Sequence, residues 1–205
     1  MVEKPIVQES MVKEPKVEKL KVEKPKAQKP MLVWLDLEMT GLSVQKDHII
    51  EIAMVVTDDQ LNEVAVGPNL VIHQSDAVLA SMNEWCVKQH GLSGLVNEVK
   101  ESTITLEQAE DATLAFLKEQ SAQGAILCGN SIGSDRAFLK EHMPRLEAFF
   151  TYRLLDVSAV KECIQRWYKN DPQVKFVKKD LHRALPDVYE SLEELRHYRK
   201  YFFKA

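Results

Sequence analysis

The spacing of apolar positions changes several times along the chain. From residue 31 the run LVWLDLE is almost continuously apolar and is bounded by TGL; HIIEIAMVVTD and NLVIHQ follow, both rich in β-branched residues. These runs predict three successive strands, and their short connections predict an antiparallel meander whose second turn falls in residues 58–62. The stretch SMNEWCVKQHGLSGLV predicts short helices. Thr105 with Gln108 three positions on forms a capping-box pattern. Leu106, Ala109, Thr113, Phe116 and Leu117 then recur at helical spacing, predicting a helix that buries one face until Gly124. AILCGN predicts a fourth, buried strand, SDRAFLKEHM a helix stopped by Pro144, and YRLLDVSA a fifth strand running into a helix around residues 160–167. A last helix is entered at Pro186, with Val188, Leu192, Leu195 and Phe202 near one face. Three strands followed by alternating helices and strands predict an α/β domain, a mixed sheet covered by helices on both faces.

Residues 1–30 do not share this patterning. VEKP occurs at 2–5 and 22–25, with KEP at 13–15 and QKP at 28–30. A Pro-punctuated Lys/Glu segment buries too little apolar surface to offset its ordering entropy, so a disordered tail is expected, with the folded domain in residues 31–205. The tail's eight Lys and five Glu give +3, so the chain's −4 leaves −7 for residues 31–205. An acidic body argues against a broad basic face for long nucleic acid and favours a protein that meets cations or small substrates.

Neither a secretory signal nor a mitochondrial transit peptide fits the first thirty residues, and no run approaches the ~20 apolar residues of a membrane span. The three cysteines, Cys86, Cys128 and Cys163, lie outside any CxxC pattern and suit a reducing, cytoplasmic setting.

The candidate chemistry is carboxylate chemistry. Asp36 and Glu38 stand two apart on one strand, so both project from the same face with Cα atoms ~6.6 Å apart. Two unpaired acids on one face cost several kcal/mol if buried, which predicts a cationic partner; simple hydration beyond the strand end is the ordinary alternative. Asp135 opens a helix after the fourth strand, and Asp187 lies in the first turn of the last one, where capping or the helix dipole would also account for an acid. Four carboxylates at strand ends and helix starts have the oxygen chemistry for two divalent cations ~3.5–4 Å apart, which would stabilise both oxygens of a phosphodiester displacement. His182, five residues before Asp187, is the candidate base for the attacking water.

DLEMTGL (36–42), IIEIA (49–53), GNSIGSDRAFL (129–139), YRLLDVS (152–158) and His182-x4-Asp187 together resemble oligoribonuclease, of the DEDDh group of 3′-to-5′ exonucleases. The resemblance implies an RNase H-like fold, with Asp36, Glu38, Asp135 and Asp187 binding two Mg²⁺ or Mn²⁺ ions and His182 as general base. It implies a homodimer that degrades short oligoribonucleotides, especially dinucleotides, to 5′-mononucleotides. Leu42 looks like the family's wedge between two bases, and Trp85 could stack on a base. The resemblance assigns Ser131, Arg153 and Ser158 to the substrate's 5′-phosphate, and Tyr152 to the partner subunit's site. Core packing for Trp85, a core-covering loop position for Leu42, ion pairing for Arg153 and turn bonding for the serines are the structural alternatives. Pro186 stands where the family pattern carries an acid, and proline fits a first helical turn.

Two other functions remain open on these residues. A proofreading-type 3′-to-5′ DNA exonuclease would use the same acids and His182, although the acidic body and the YRLLDVS segment weigh against it. A catalytically silent adaptor is opposed by the presence of all five candidate catalytic residues.

Overall fold

The computed structural model describes residues 31–179 and 181–204. The tail expected in residues 1–30 lies outside the described residues. The sheet opens with β1 (Leu32–Met39), β2 (Ile49–Thr57) and β3 (Glu63–Val71), an antiparallel meander. The expected second turn is present: Asp58 Oδ1 accepts from the backbone N–H groups of Gln60 and Asn62 at 2.8 and 2.9 Å. The helices α1 (Asp76–Ala80), α2 (Glu84–Leu92), α3 (Leu95–Glu101) and α4 (Leu106–Glu119) follow. Thr105 caps α4 through the expected reciprocal box with Gln108. Then come β4 (Ile126–Gly129), α5 (Gly133–His142), α6 (Pro144–Glu147), β5 (Leu154–Asp156), α7 (Val157–Trp167) and α8 (Ala184–Phe202). β4 lies parallel to β1, and β5 parallel to β4, giving the order β3-β2-β1-β4-β5.

The third strand differs from its prediction by starting six residues earlier than NLVIHQ and ending at Val71. Gly67 and Pro68 read as a break in sequence, but β3 is an edge strand, where a missing ladder donor is tolerated. Gly67 is required there: a Cβ would stand 2.4 Å from Cγ of Met54.

The alternation of β1 divides the core in two. Val33, Leu35 and Leu37 pack with Leu114 and Leu117 of α4 and Phe138 and Leu139 of α5. Leu32 and Trp34 pack on the opposite face with Ile164 of α7 and Val188, Leu192 and Leu195 of α8. Each fully buried side chain of this kind contributes about 1.5–3 kcal/mol. The indole of Trp34 keeps its polar end satisfied by donating to Oγ1 of Thr57 at 3.0 Å. A third cluster holds α1–α3 against the sheet through Ile50, Leu79, Cys86, Leu95 and Val99. Asp36 and Glu38 continue the face of Leu32 and Trp34 by the two-residue period, so they emerge toward α8 just where its apolar stripe ends.

Candidate active site

The acids meet at the open end of β1. Oxygens of Asp36, Glu38 and Asp187 all lie within 4.8 Å of one another, Asp187 arriving from the first turn of α8. Pro186 sits in that same turn, where its absent N–H breaks no intrahelical bond, and α8 starts at Ala184, two residues earlier than predicted. Asp135, in the first turn of α5, stands beside this trio but turns Oδ1 to the backbone N–H of Leu37 at 3.1 Å. The structure therefore draws three of the four expected carboxylates into one group and pins the fourth to β1 next to it.

Electrostatics follow from this crowding. Burial, then the neighbouring Asp135, Glu38 and Asp187, holds the Asp36 carboxyl well above its ordinary range. Glu38 is pushed up to about 8, chiefly by burial and then by Asp187 and Glu51, with Arg183 pulling the other way. Asp135 is raised to about 7 by burial, against the opposing hydrogen bond from Leu37. Oxygens that bind protons this readily favour bound positive charge, and an all-carboxylate set is the ligand chemistry of hard divalent cations. The residues present fit such ions.

His182 directly precedes Arg183, whose guanidinium holds Glu51 opposite Glu38. The φ of His182, 51°, is left-handed, uncommon for a residue other than glycine. Its ring packs edge-on against Trp85, with centroids 5.3 Å apart. Asn83 caps α2 by accepting from the N–H of Cys86 at 2.9 Å, which sets Trp85 in the first turn and aims it outward. Trp85 is 56% exposed, so it is a surface aromatic and the core alternative does not describe it. Leu42 is 83% exposed and lines the same cleft of about 370 Å³, whose wall also includes Glu38, Met39, Gly41 and His90. The loop carrying Leu42 is rigidified by Asp47, which accepts from Ser43 N–H at 2.8 Å and Thr40 Oγ1 at 3.1 Å.

Ser131 and Ser158 come together from the ends of β4 and β5, with hydroxyl oxygens 3.1 Å apart. Arg153 and Tyr152 pair with each other on the surface just before β5: Nε of Arg153 donates to the phenol oxygen at 3.3 Å, and its guanidinium carbon lies 5.5 Å from the ring centre.

Three supporting residues were not singled out from the sequence. Glu51, fully buried and opposite Glu38 in the β1–β2 register, accepts from Arg183 and from the N–H of Ala184 at 3.0 Å. Arg183 also donates twice to Glu98 at 2.7 Å. His90, buried in α2, bonds the carbonyl of Met39 through Nε2 at 2.9 Å and places Nδ1 3.8 Å from Glu38. Glu51 was legible only as an acid inside the otherwise apolar β2, a position that demands a partner.

The RNase_T family model, described as an exonuclease, matches residues 33–195. The chain is 54% identical over 174 residues to the oligoribonuclease of Marinobacter nauticus, covering 84% of this chain and 96% of that one. It is 50% identical over 174 residues to the mitochondrial oligoribonuclease of Mus musculus, covering 84% and 73%. Among solved structures it resembles E. coli exonuclease I in complex with a dT13 oligonucleotide, at a TM-score of 0.63 and 12% identity, over 83% of this chain and 41% of that chain. At that identity the likeness is one of fold.

Proposed function

Since the chain belongs to the oligoribonuclease family of RNase_T exonucleases and is a 3′-to-5′ exoribonuclease, we propose that it hydrolyses short oligoribonucleotides, dinucleotides above all, to 5′-mononucleotides. The observation that carries this reading is the approach of Asp36, Glu38 and Asp187 to within 4.8 Å, with Glu38 lining the same cleft as Trp85, whose ring packs against His182. In this proposal Asp36, Glu38, Asp135 and Asp187 hold two Mg²⁺ or Mn²⁺ ions, which when bound supply a water of lowered pKa and positive charge beside the developing phosphate anion. His182 accepts the proton of the attacking water. The water oxygen bonds to phosphorus, the bond from phosphorus to the preceding nucleotide's 3′-oxygen breaks, that oxygen takes a proton from solvent to become a hydroxyl, and the released nucleotide keeps its 5′-phosphate.

Shortness is read by the remaining residues. Trp85 offers a stacking face and Leu42 an apolar wedge, both exposed in one cleft. Ser131, Ser158 and Arg153 receive the 5′-phosphate through hydroxyl and charge-assisted hydrogen bonds. Tyr152, 82% exposed beside the edge strand β5, suits a homodimer in which it completes the partner's site. Among the described residues no helix is long and apolar enough to cross a membrane, and the free thiols of Cys86, Cys128 and Cys163 suit the cytoplasm.

Hydrolysis of labelled dinucleotide, seven-mer and long single-stranded RNA and DNA, with Mg²⁺ or Mn²⁺ and with EDTA, tests the reading. Fastest, EDTA-sensitive cleavage of the RNA dinucleotide is expected. Preference for long DNA would overturn the short-RNA reading, and no metal-dependent hydrolysis of any substrate would support the adaptor.

A further inference from the structure

Glu194 of α8 is fully buried, and no step above uses it. Burial alone would raise its proton affinity, but Lys178, Tyr198 and Asn130 outweigh burial and hold the carboxyl below its ordinary range. Lys178 Nζ lies 3.0 Å from Oε2 and Lys161 Nζ 3.6 Å from Oε1, while the Tyr198 hydroxyl donates to Oε1 at 2.9 Å. The remaining contact leads toward the substrate. Asn130, just after β4, donates from Nδ2 to Glu194 Oε2 at 3.0 Å and to Ser191 Oγ at 2.9 Å.

An ionised carboxylate can only accept, so it dictates which end of the Asn130 amide faces it. With both Nδ2 hydrogens committed to α8, Oδ1 is turned to Ser158 and accepts its hydroxyl proton at 3.1 Å. Ser158 Oγ then stands as an acceptor toward Ser131, sharing its backbone N–H at 3.1 Å with Asp156 Oδ1 at 3.0 Å. The hydroxyl of Ser131 is therefore the donor of its 3.1 Å contact with Ser158 Oγ, and its proton is the one that can be redirected to a phosphate. The order of donors and acceptors along Glu194, Asn130, Ser158 and Ser131 is thus set from the buried end.

We infer that Glu194 is a positioning residue of the 5′-phosphate subsite, fixing Ser158 and Ser131 through Asn130. The inference rests on the assignment of those serines to the 5′-phosphate. It extends selectivity for short substrates from the residues that touch the phosphate to a carboxylate inside the last helix. Lys178, four residues before His182, shares the same carboxylate, so the informative quantity is one that cancels any effect on the base.

That quantity is the ratio of kcat/KM for a 5′-phosphorylated dinucleotide to that for its 5′-hydroxyl counterpart, measured with Mg²⁺. Glu194→Gln is expected to lower the ratio roughly tenfold, mostly through KM of the phosphorylated substrate, as suits loss of one oriented hydrogen bond. Asn130→Ala should do the same while leaving Glu194 its contacts with Lys178, Lys161 and Tyr198, and it decides the matter if thermal melting shows that Glu194→Gln does not fold. Adding Ser158→Ala to Glu194→Gln should lower the ratio no further than Ser158→Ala alone. A wild-type ratio in a folded Glu194→Gln or in Asn130→Ala, or effects that multiply in the double variant, overturns the inference while leaving the phosphate subsite standing. A wild-type enzyme indifferent to the 5′-phosphate, with Ser158→Ala silent, overturns the subsite assignment and this inference together.

Discussion

Arg183 grips Glu51 across 132 positions of sequence, with Nε 3.1 Å from one carboxylate oxygen and Nη2 3.0 Å from the other. The pair fastens the residue after His182 to the strand beside the acids. Glu51 is fully buried, so removing its partner leaves a buried carboxylate uncompensated. Arg183→Met is expected to lower the unfolding free energy by about 3 kcal/mol or more in urea titrations. Arg183→Lys should recover only part of it, since an ammonium cannot span Glu51 and Glu98 with a fixed fork.

The raised acids make the metal-free protein sensitive to pH. In the unfolded chain Asp and Glu titrate near 4, whereas Glu38 is raised to about 8 and Asp135 to about 7 when folded. Between those limits the folded state binds more protons, so the contribution of these groups is fully present below about pH 4 and is lost as pH rises toward 8. Thermal melts in EDTA should show this loss from pH 5 to 8 relative to a Glu38→Gln, Asp135→Asn variant. Added Mn²⁺ should stabilise the wild type more at pH 8 than at pH 5, because ligand oxygens must shed protons to bind it.

Asp135 separates structure from chemistry. Asp135→Asn keeps an oxygen for the Leu37 N–H, so its stability should stay within about 1 kcal/mol of wild type while dinucleotide hydrolysis falls at least roughly a hundredfold. Asp135→Ala leaves that buried N–H unsatisfied and should also lose about 1–3 kcal/mol of stability. Denaturant titration beside a turnover assay distinguishes the two.

The exposed apolar residues should matter to substrate and little to folding. Leu42→Ala and Trp85→Ala are expected to change stability by about 0.5 kcal/mol or less, while dinucleotide affinity falls by about 1–3 kcal/mol for the aromatic. Gly41→Ala should also weaken binding, because its Cβ would stand 2.5 Å from the Asp47 carboxylate that shapes the Leu42 loop. Titration calorimetry on an inactive Asp135→Asn background reads all three.

Subunit mixing tests the role proposed for Tyr152. Tyr152→Ala and Asp135→Asn chains, each inactive alone, should regain activity on mixing, because the mixed dimer holds one site with intact acids and an intact tyrosine from across the interface. No recovery would confine Tyr152 to its own subunit.

The strands, the capping box of α4 and the shared face of Asp36 and Glu38 were readable because each follows from local period or from neighbours three positions away. The start of β3 was not readable, since Gly67 and Pro68 signal a break and only the strand's place at the sheet edge removes that meaning. Trp85 could not be assigned to core or surface, because its orientation depends on the Asn83 cap and on what α2 packs against. The chain of contacts from Glu194 to Ser131 was invisible, since its links are 64, 28 and 27 residues apart.

By itself the sequence determined the fold class, the family and the chemical identity of the candidate site, since these rest on residue types and on spacings that backbone geometry makes periodic. Only the tertiary structure decided that three acids converge while Asp135 is held by Leu37, and that Arg183 and Glu194 anchor what surrounds them. The physical reason is that a buried charge is tolerated only where packing delivers its partner, and packing joins residues according to the crossing of helices over a sheet, which no local pattern encodes.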